Sequence, residues 1–218
     1  MKITELKIFP VRNWVFVKIV TDDGLYGIGE ASLSGRNQAV IAALETNLKP
    51  LLLGQDATRI EYIWQDIFRG TFWRGGPVLQ SALAGIDIAL WDLNAKALGV
   101  PVYRLLGGKS RDRVLYYRHV GGNTPEELVE RSQQLLDNGV KVLRISPTDA
   151  GRGIFDASEA TRIAVRFFEA LRNGIGDEPE VIFEVHTRMT PTQAIQLCNS
   201  IEPFRPYFVE DPIRSENP

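Results

Sequence analysis

Beyond about residue 114 the chain repeats one pattern, a short apolar run followed by a longer stretch of helical periodicity. The apolar runs lie at 114–117, 141–145, 181–185 and 207–209. Between them, helices are expected from Thr124–Pro125 to Asn138–Gly139, over 157–173 and over 191–201. Regular strand–helix alternation argues for parallel βαβ units. The strand starts are spaced by roughly 27 to 40 residues, as such units require. The pattern fits a closed barrel or an open doubly wound sheet, but four units cannot close an eight-stranded barrel. The chain stops at Pro218, just after a strand and with no helix to cover it. The expectation is therefore the first half, strands one to four, of a longer architecture.

The residues ahead of this pattern read differently. Ile3, Leu6 and Ile8, then Val15, Val17 and Ile19, alternate with other residues as strands do. Asp22, Asp23 and Gly24 separate two apolar runs and predict a hairpin. A helix is expected over 37–48, and another after Asp56 or Thr58, either of which could cap it. The strongest helical signal spans 78–98, where Leu79, Leu83, Ile86, Leu90, Leu93 and Ala97 recur at spacings of three and four. Gly99 and Pro101 end it. The chain thus divides into an α+β domain over 1–112 and an α/β domain over 113–218.

Composition excludes several classes of function. A formal net charge of -2 with 24% charged residues gives no electrostatic case for nucleic acid or an anionic membrane. No apolar run reaches the roughly 18 residues of a membrane span. The single Cys198 rules out an internal disulfide, and a cytoplasmic origin is expected. Gly24, Gly27 and Gly29 lack the third glycine and the helix of a dinucleotide loop and are read as hairpin residues.

The chemistry collects at strand ends. In the run ending at His186, Phe183 and Val185 share one face while Ile182, Glu184 and His186 share the other. In the run ending at Glu210, Phe208 and Glu210 share a face, and Asp211-Pro212 follows. Carboxylates at matching heights on strands about 4.8 Å apart repel unless a cation lies between them. Carboxylate oxygens suit Mg²⁺ or Mn²⁺. Active sites of parallel barrels lie at the C-terminal ends of the strands. Glu184 and Glu210 are therefore candidate metal ligands, and His186 a candidate acid or base. The alternative is that both glutamates are helix caps or loop charges. Arg144 lies inward by the same alternation, with Ser146 two residues on. It could grip a substrate carboxylate or simply neutralise Glu184.

The stretch from Ala82 to Gly108, ALAGIDIALWDLNAKALGVPVYRLLGG, resembles the signature helix of the enolase superfamily, in its mandelate racemase-like branch. FRGTFWRGGP from Phe68 to Pro77, and FEVHTRMTP from Phe183 to Pro191, resemble sugar-acid dehydratases of the mannonate and galactonate type. The resemblance implies an α+β capping domain ahead of a TIM-like (β/α)₇β barrel. It implies Mg²⁺, with Mn²⁺ as a substitute, and removal of the proton α to a carboxylate to give an enolate that the metal stabilises. Loss of the β-hydroxyl then yields a 2-keto-3-deoxy acid.

Carried over by position, Glu184 falls on the first metal ligand, where aspartate is usual, and Glu210 on the second. His186 falls where the dehydratases place the acid that protonates the departing hydroxyl. Arg144 and Ser146 stand where a Lys-x-Lys base is often found, so no lysine base is expected there. Arg144 matches a mannonate-type arginine that pairs with a tyrosine, and no tyrosine lies between Ser146 and Gly174. Trp73 and Arg74 are expected to contact substrate from the capping domain, with Asn37 and His119 as further contacts. The third ligand and the remaining base would lie beyond Pro218, so the isolated chain is expected to have little dehydratase activity. A homo-oligomer acting on a small sugar acid is the expected assembly. A racemase or epimerase, or a non-catalytic relative, is the alternative.

Overall fold

The computed structural model describes residues 1–147 and 154–214. The chain divides into two compact units, Met1–Asp112 and Arg113–Pro218.

The first unit opens with an antiparallel sheet, β1 (Ile3–Val11), β2 (Trp14–Thr21) and β3 (Tyr26–Glu30), in that order. Val15, Val17 and Ile19 of β2 are buried, so the period-two pattern decides which face meets the core. Helices follow: α1 (Asn37–Ala42), a π-helical turn (Ala43–Leu48), α2 (Lys49–Leu52), α3 (Ile60–Arg69), α4 (Gly76–Ala97) and α5 (Val102–Leu105). Two local expectations change. The Asp56 carboxylate accepts from the Thr58 amide at 3.0 Å in its own turn, and α3 begins later, after Arg59 with no side-chain cap. Of the three hairpin glycines only Gly24, at φ 82°, serves the turn. Gly27 and Gly29 lie in β3, where a Cβ would run into the carbonyl oxygens of Ala89 and Gly85 on α4. Their missing side chains let the helix lie directly on the sheet.

The second unit is a parallel sheet with its helices on the connections. Its elements are β4 (Arg118–His119), α6 (Pro125–Asp137), β5 (Val142–Ile145), α7 (Ala157–Ile175), β6 (Glu180–Glu184), α8 (Pro191–Ile201) and β7 (Phe208–Glu210). The order β4-β5-β6-β7 follows the chain, and each neighbouring pair is parallel. Each helix starts on a polar cap. Thr124 Oγ1 accepts from the Glu127 amide at 3.2 Å, Asp156 accepts from the Ser158 and Glu159 amides at 2.9 and 3.0 Å, and Thr190 forms a capping box with Gln193. Leu143, Ile145, Phe183 and Val185 face the helices and join Phe167, Phe168, Leu171 and Leu197 in one apolar cluster.

The apolar run at 114–117 does not form the first strand; pairing is confined to Arg118–His119, and Val114, Leu115 and Tyr116 are exposed. Arg118 sits opposite Leu143, so residues before Tyr117 have no residue of β5 to pair with. Among the described residues, no helix is long and apolar enough to cross a membrane.

Candidate active site at the strand ends

On the sheet face away from the helices, one cross-strand row is His119, Arg144, Ile182 and Phe208. Two residues further along, Glu184 of β6 lies in register with Glu210 of β7. The two carboxylates therefore emerge side by side at the C-terminal ends of neighbouring strands. Glu184 is 1% exposed. Arg144, one row lower, reaches up between them. Its Nη2 donates to Glu184 Oε2, and its Nε donates to Glu210 Oε2 at 2.6 Å.

The other carboxylate oxygens are also engaged. Glu184 Oε1 accepts from the His186 amide at 2.5 Å, and the Tyr117 hydroxyl lies 3.3 Å from Glu210 Oε1. Tyr117 flanks β4, three strands from β7. Tyr117 also lies four residues below Glu210 in register, so a flat sheet would separate their backbones by roughly 20 Å, beyond the joint reach of the two side chains. The contact shows that the sheet curls toward this face, as a barrel wall does.

Burial pushes the Glu210 carboxyl up, but the hydrogen bond and charge of Arg144 outweigh it and hold the group below the usual carboxylate value. Burial, and then the neighbouring Glu210 charge, raise the Tyr117 phenol. Burial works against the Arg144 cation, and the two glutamates more than restore it. One guanidinium against two carboxylates leaves the cluster one positive charge short of neutral.

The histidines complete the rim. His119 Nδ1 and His186 Nε2 lie 3.3 and 3.4 Å from Arg144 nitrogens. Ser146 Oγ lies 3.1 Å from the Glu184 carbonyl, to which it donates, and 3.3 Å from His186 Nδ1. His186, Thr187 and Asp211 have φ of 54°, 57° and 45°, a region that costs side-chain-bearing residues energy. This strain sits just past the two carboxylates. A cleft of about 410 Å³ is lined by His119, Val120, Gly121, Arg144, Ser146 and His186.

Two hard carboxylate oxygens at matching height suit a divalent cation in kind. In number they are only two ligands, and the described residues contain no group of three or more metal-binding side chains. In this structure one edge of the Arg144 guanidinium spans the two carboxylates, through Nη2 to Glu184 and Nε to Glu210. Arg144 therefore pairs with Glu184, as one of its two expected roles has it, and with Glu210 as well.

The remaining expected contacts lie in the first unit. Asn37 Oδ1 accepts from the Leu33 amide at 2.8 Å and its Nδ2 donates to the Asn13 carbonyl at 3.0 Å, so its amide ties two loops together. Trp73 and Arg74 line a separate apolar cleft of about 240 Å³ with Leu48, Phe68 and Leu79, and Trp73 is 79% exposed.

Comparison with known proteins bears on this arrangement. Residues 8–107 match the mandelate racemase / muconate lactonizing enzyme N-terminal domain, and residues 127–218 match the enolase C-terminal domain-like family. The chain belongs to the enolase superfamily. Within the superfamily it is similar to a D-galactonate dehydratase family member of Halomonas elongata, 39% identical over 95% of this chain and 58% of that protein. A D-mannonate dehydratase of Caulobacter sp. (strain K31) is 37% identical over 100% of this chain and 60% of its own length. Among solved structures, an enolase from Pantoea ananatis with bound D-gluconate and Mg superposes with a TM-score of 0.89 at 35% identity, over 99% of this chain and 61% of that one. The chain thus spans about 60% of the length of these relatives.

For an enolase-superfamily chain the paired acidic strand ends were visible in the sequence, whereas Tyr117 was not. The signal lay in the two-residue spacing of Tyr117 and His119, which repeats that of Glu184 and His186. It was hidden because the strand begins later than the apolar run suggests. The stretch after Ser146, where the resemblance looks for a tyrosine, includes residues 148–153, which lie outside the described residues.

Proposed function

We propose that this chain carries the ion-binding and proton-handling part of a sugar-acid dehydratase. The observation that supports it best is the register-matched pair Glu184 and Glu210, beside a cleft lined by two imidazoles, a guanidinium and a hydroxyl. Such a lining suits an acid that carries one carboxylate and several hydroxyls. Similarity to proteins named D-mannonate dehydratase and D-galactonate dehydratase family member narrows the substrate class to aldonic acids.

The reaction removes the proton α to the carboxylate and breaks the C–O bond at the β-carbon. The hydroxyl leaves as water, and the enol product rearranges to a 2-keto-3-deoxy acid. Glu184 and Glu210 would hold Mg²⁺ or Mn²⁺, which when bound would neutralise the charge that develops on the substrate carboxylate. The Ser146 hydroxyl beside Nδ1 steadies the His186 ring, and Nε2 hands its proton to the departing hydroxyl oxygen. Arg144 presents the planar fork that pairs with a substrate carboxylate. His119 walls the cleft beside it.

The test follows 2-keto-3-deoxy acid formation from a panel of aldonic acids with Mg²⁺. It uses the 218-residue chain and any longer reading frame that contains it. The longer protein is expected to turn over at least one acid, with a loss of about 10²–10⁴-fold in His186→Asn. The short chain is expected to show little activity. Isotope exchange or epimerisation at the α-carbon without water loss would replace the dehydratase by a racemase.

A further inference from the structure

All four carboxylate oxygens of Glu184 and Glu210 have partners. Those of Oε1 are the backbone amide of His186 and the ring-borne hydroxyl of Tyr117. Those of the two Oε2 atoms are both on one flexible side chain, Arg144. An ion bridging the two Oε2 atoms would take the place of that guanidinium. We propose that Arg144 is the resident counter-ion of this site, and that its guanidinium and a divalent cation exclude one another from the gap between Glu184 and Glu210. This rests on the ion-binding role given to the two glutamates above.

Charge supports exclusion over sharing. With Arg144 alone the cluster carries a net charge of about -1, and exchanging it for a dication brings that to about zero. Holding both would leave about +1 in a site whose first glutamate is 1% exposed, where like charges interact strongly. The displaced guanidinium also has somewhere to go. Arg144 already lines the 410 Å³ cleft with His119 and His186, so leaving the carboxylates turns it toward the space a substrate would fill. Ion loading would then expose the guanidinium to that space.

The experiment titrates the metal-free 218-residue chain with Mn²⁺ alone, reading free ion by electron paramagnetic resonance. A gap open about a tenth of the time or less weakens apparent affinity about tenfold or more. Arg144→Met should therefore bind Mn²⁺ at least about tenfold more tightly than wild type. Adding Glu210→Gln to that variant should abolish the gain. Equal or weaker binding by Arg144→Met overturns the exclusion and leaves the ion site standing. No binding by either protein overturns the ion site itself, and the exclusion with it. Should Arg144→Met fail to fold, the wild type still decides the matter. The Arg144 Nε–H resonance, assigned with Arg144→Lys, should shift on saturation with Mg²⁺, and a resonance that binding leaves unmoved overturns the proposal.

Discussion

Two arginines of the α/β unit, Arg144 and Arg172, are held in opposite ways. Arg144 ends between carboxylates of Glu184 and Glu210 at the C-terminal ends of the strands. Arg172, near the end of α7, donates only to backbone. Its Nε reaches the Phe204 carbonyl at 2.8 Å, Nη1 those of Gly176 and Pro179 at 3.2 and 2.8 Å, and Nη2 that of Arg205 at 2.8 Å. Burial lowers the Arg172 pKa, with Asp177 only partly opposing, whereas the carboxylates raise that of Arg144. A guanidinium held by four carbonyls is a staple, because its partners are chain and can neither titrate nor leave. One held by two carboxylates is an exchangeable cation, because anything positive can replace it.

The largest effect should come from removing the staple. Arg172→Met strands several inward-facing carbonyls and should lower stability by about 3–5 kcal/mol in urea unfolding. Because its hydrogen-bond partners do not titrate and only the carboxylate charges of Asp177 and Glu180 bear on it, its gap from wild type should change little as pH falls. A loss no larger than that of a surface substitution would break the comparison.

Arg144→Met should cost less, about 1–3 kcal/mol near neutral pH in metal-free buffer. Its gap should depend on pH. Glu210 is held below its ordinary value of 4.5 in the folded chain, so the stability it contributes is present above that value and lost as pH falls through the lowered one. The two unfolding curves should therefore converge in acid. Parallel curves down to that range would mean that the carboxylates are not what holds Arg144.

A still smaller effect calibrates both. Asp156 caps α7, and the Glu159 amide first, with that of Ser158, keeps its carboxyl below the ordinary 3.8. Its contribution is likewise present above that value and lost as pH falls through the lowered one. Asparagine caps as well without titrating. Asp156→Asn should match wild type at neutral pH and lose less stability in acid. Equal acid sensitivity would show that the cap does not need its charge.

Much of the second unit could be read directly along the chain. The helix expected over 191–201 is α8 (Pro191–Ile201), because Thr190, Pro191 and Gln193 mark its start locally. β6 falls where its alternation puts it, and the same alternation aims Glu184 to the face opposite Phe183. The misses share a cause. Asp56 has the composition of a cap and spends it on its own turn; Gly27 and Gly29 look like turn residues and are contact residues of α4. In each, a side chain or its absence answers to a neighbour that sequence order does not reveal.

Local order along the chain determined which residues form most of the strands and helices, which face of each strand is apolar, and that two strands would end in acidic residues. These follow from periods of two and 3.6 and from caps within a few residues. Tertiary structure alone decided that Arg144 would stand between the two glutamates and that Tyr117 would meet Glu210, partners 66 and 93 residues apart. Those contacts depend on how far a parallel sheet curls, and curl is a property of strands packed together, not of any one of them.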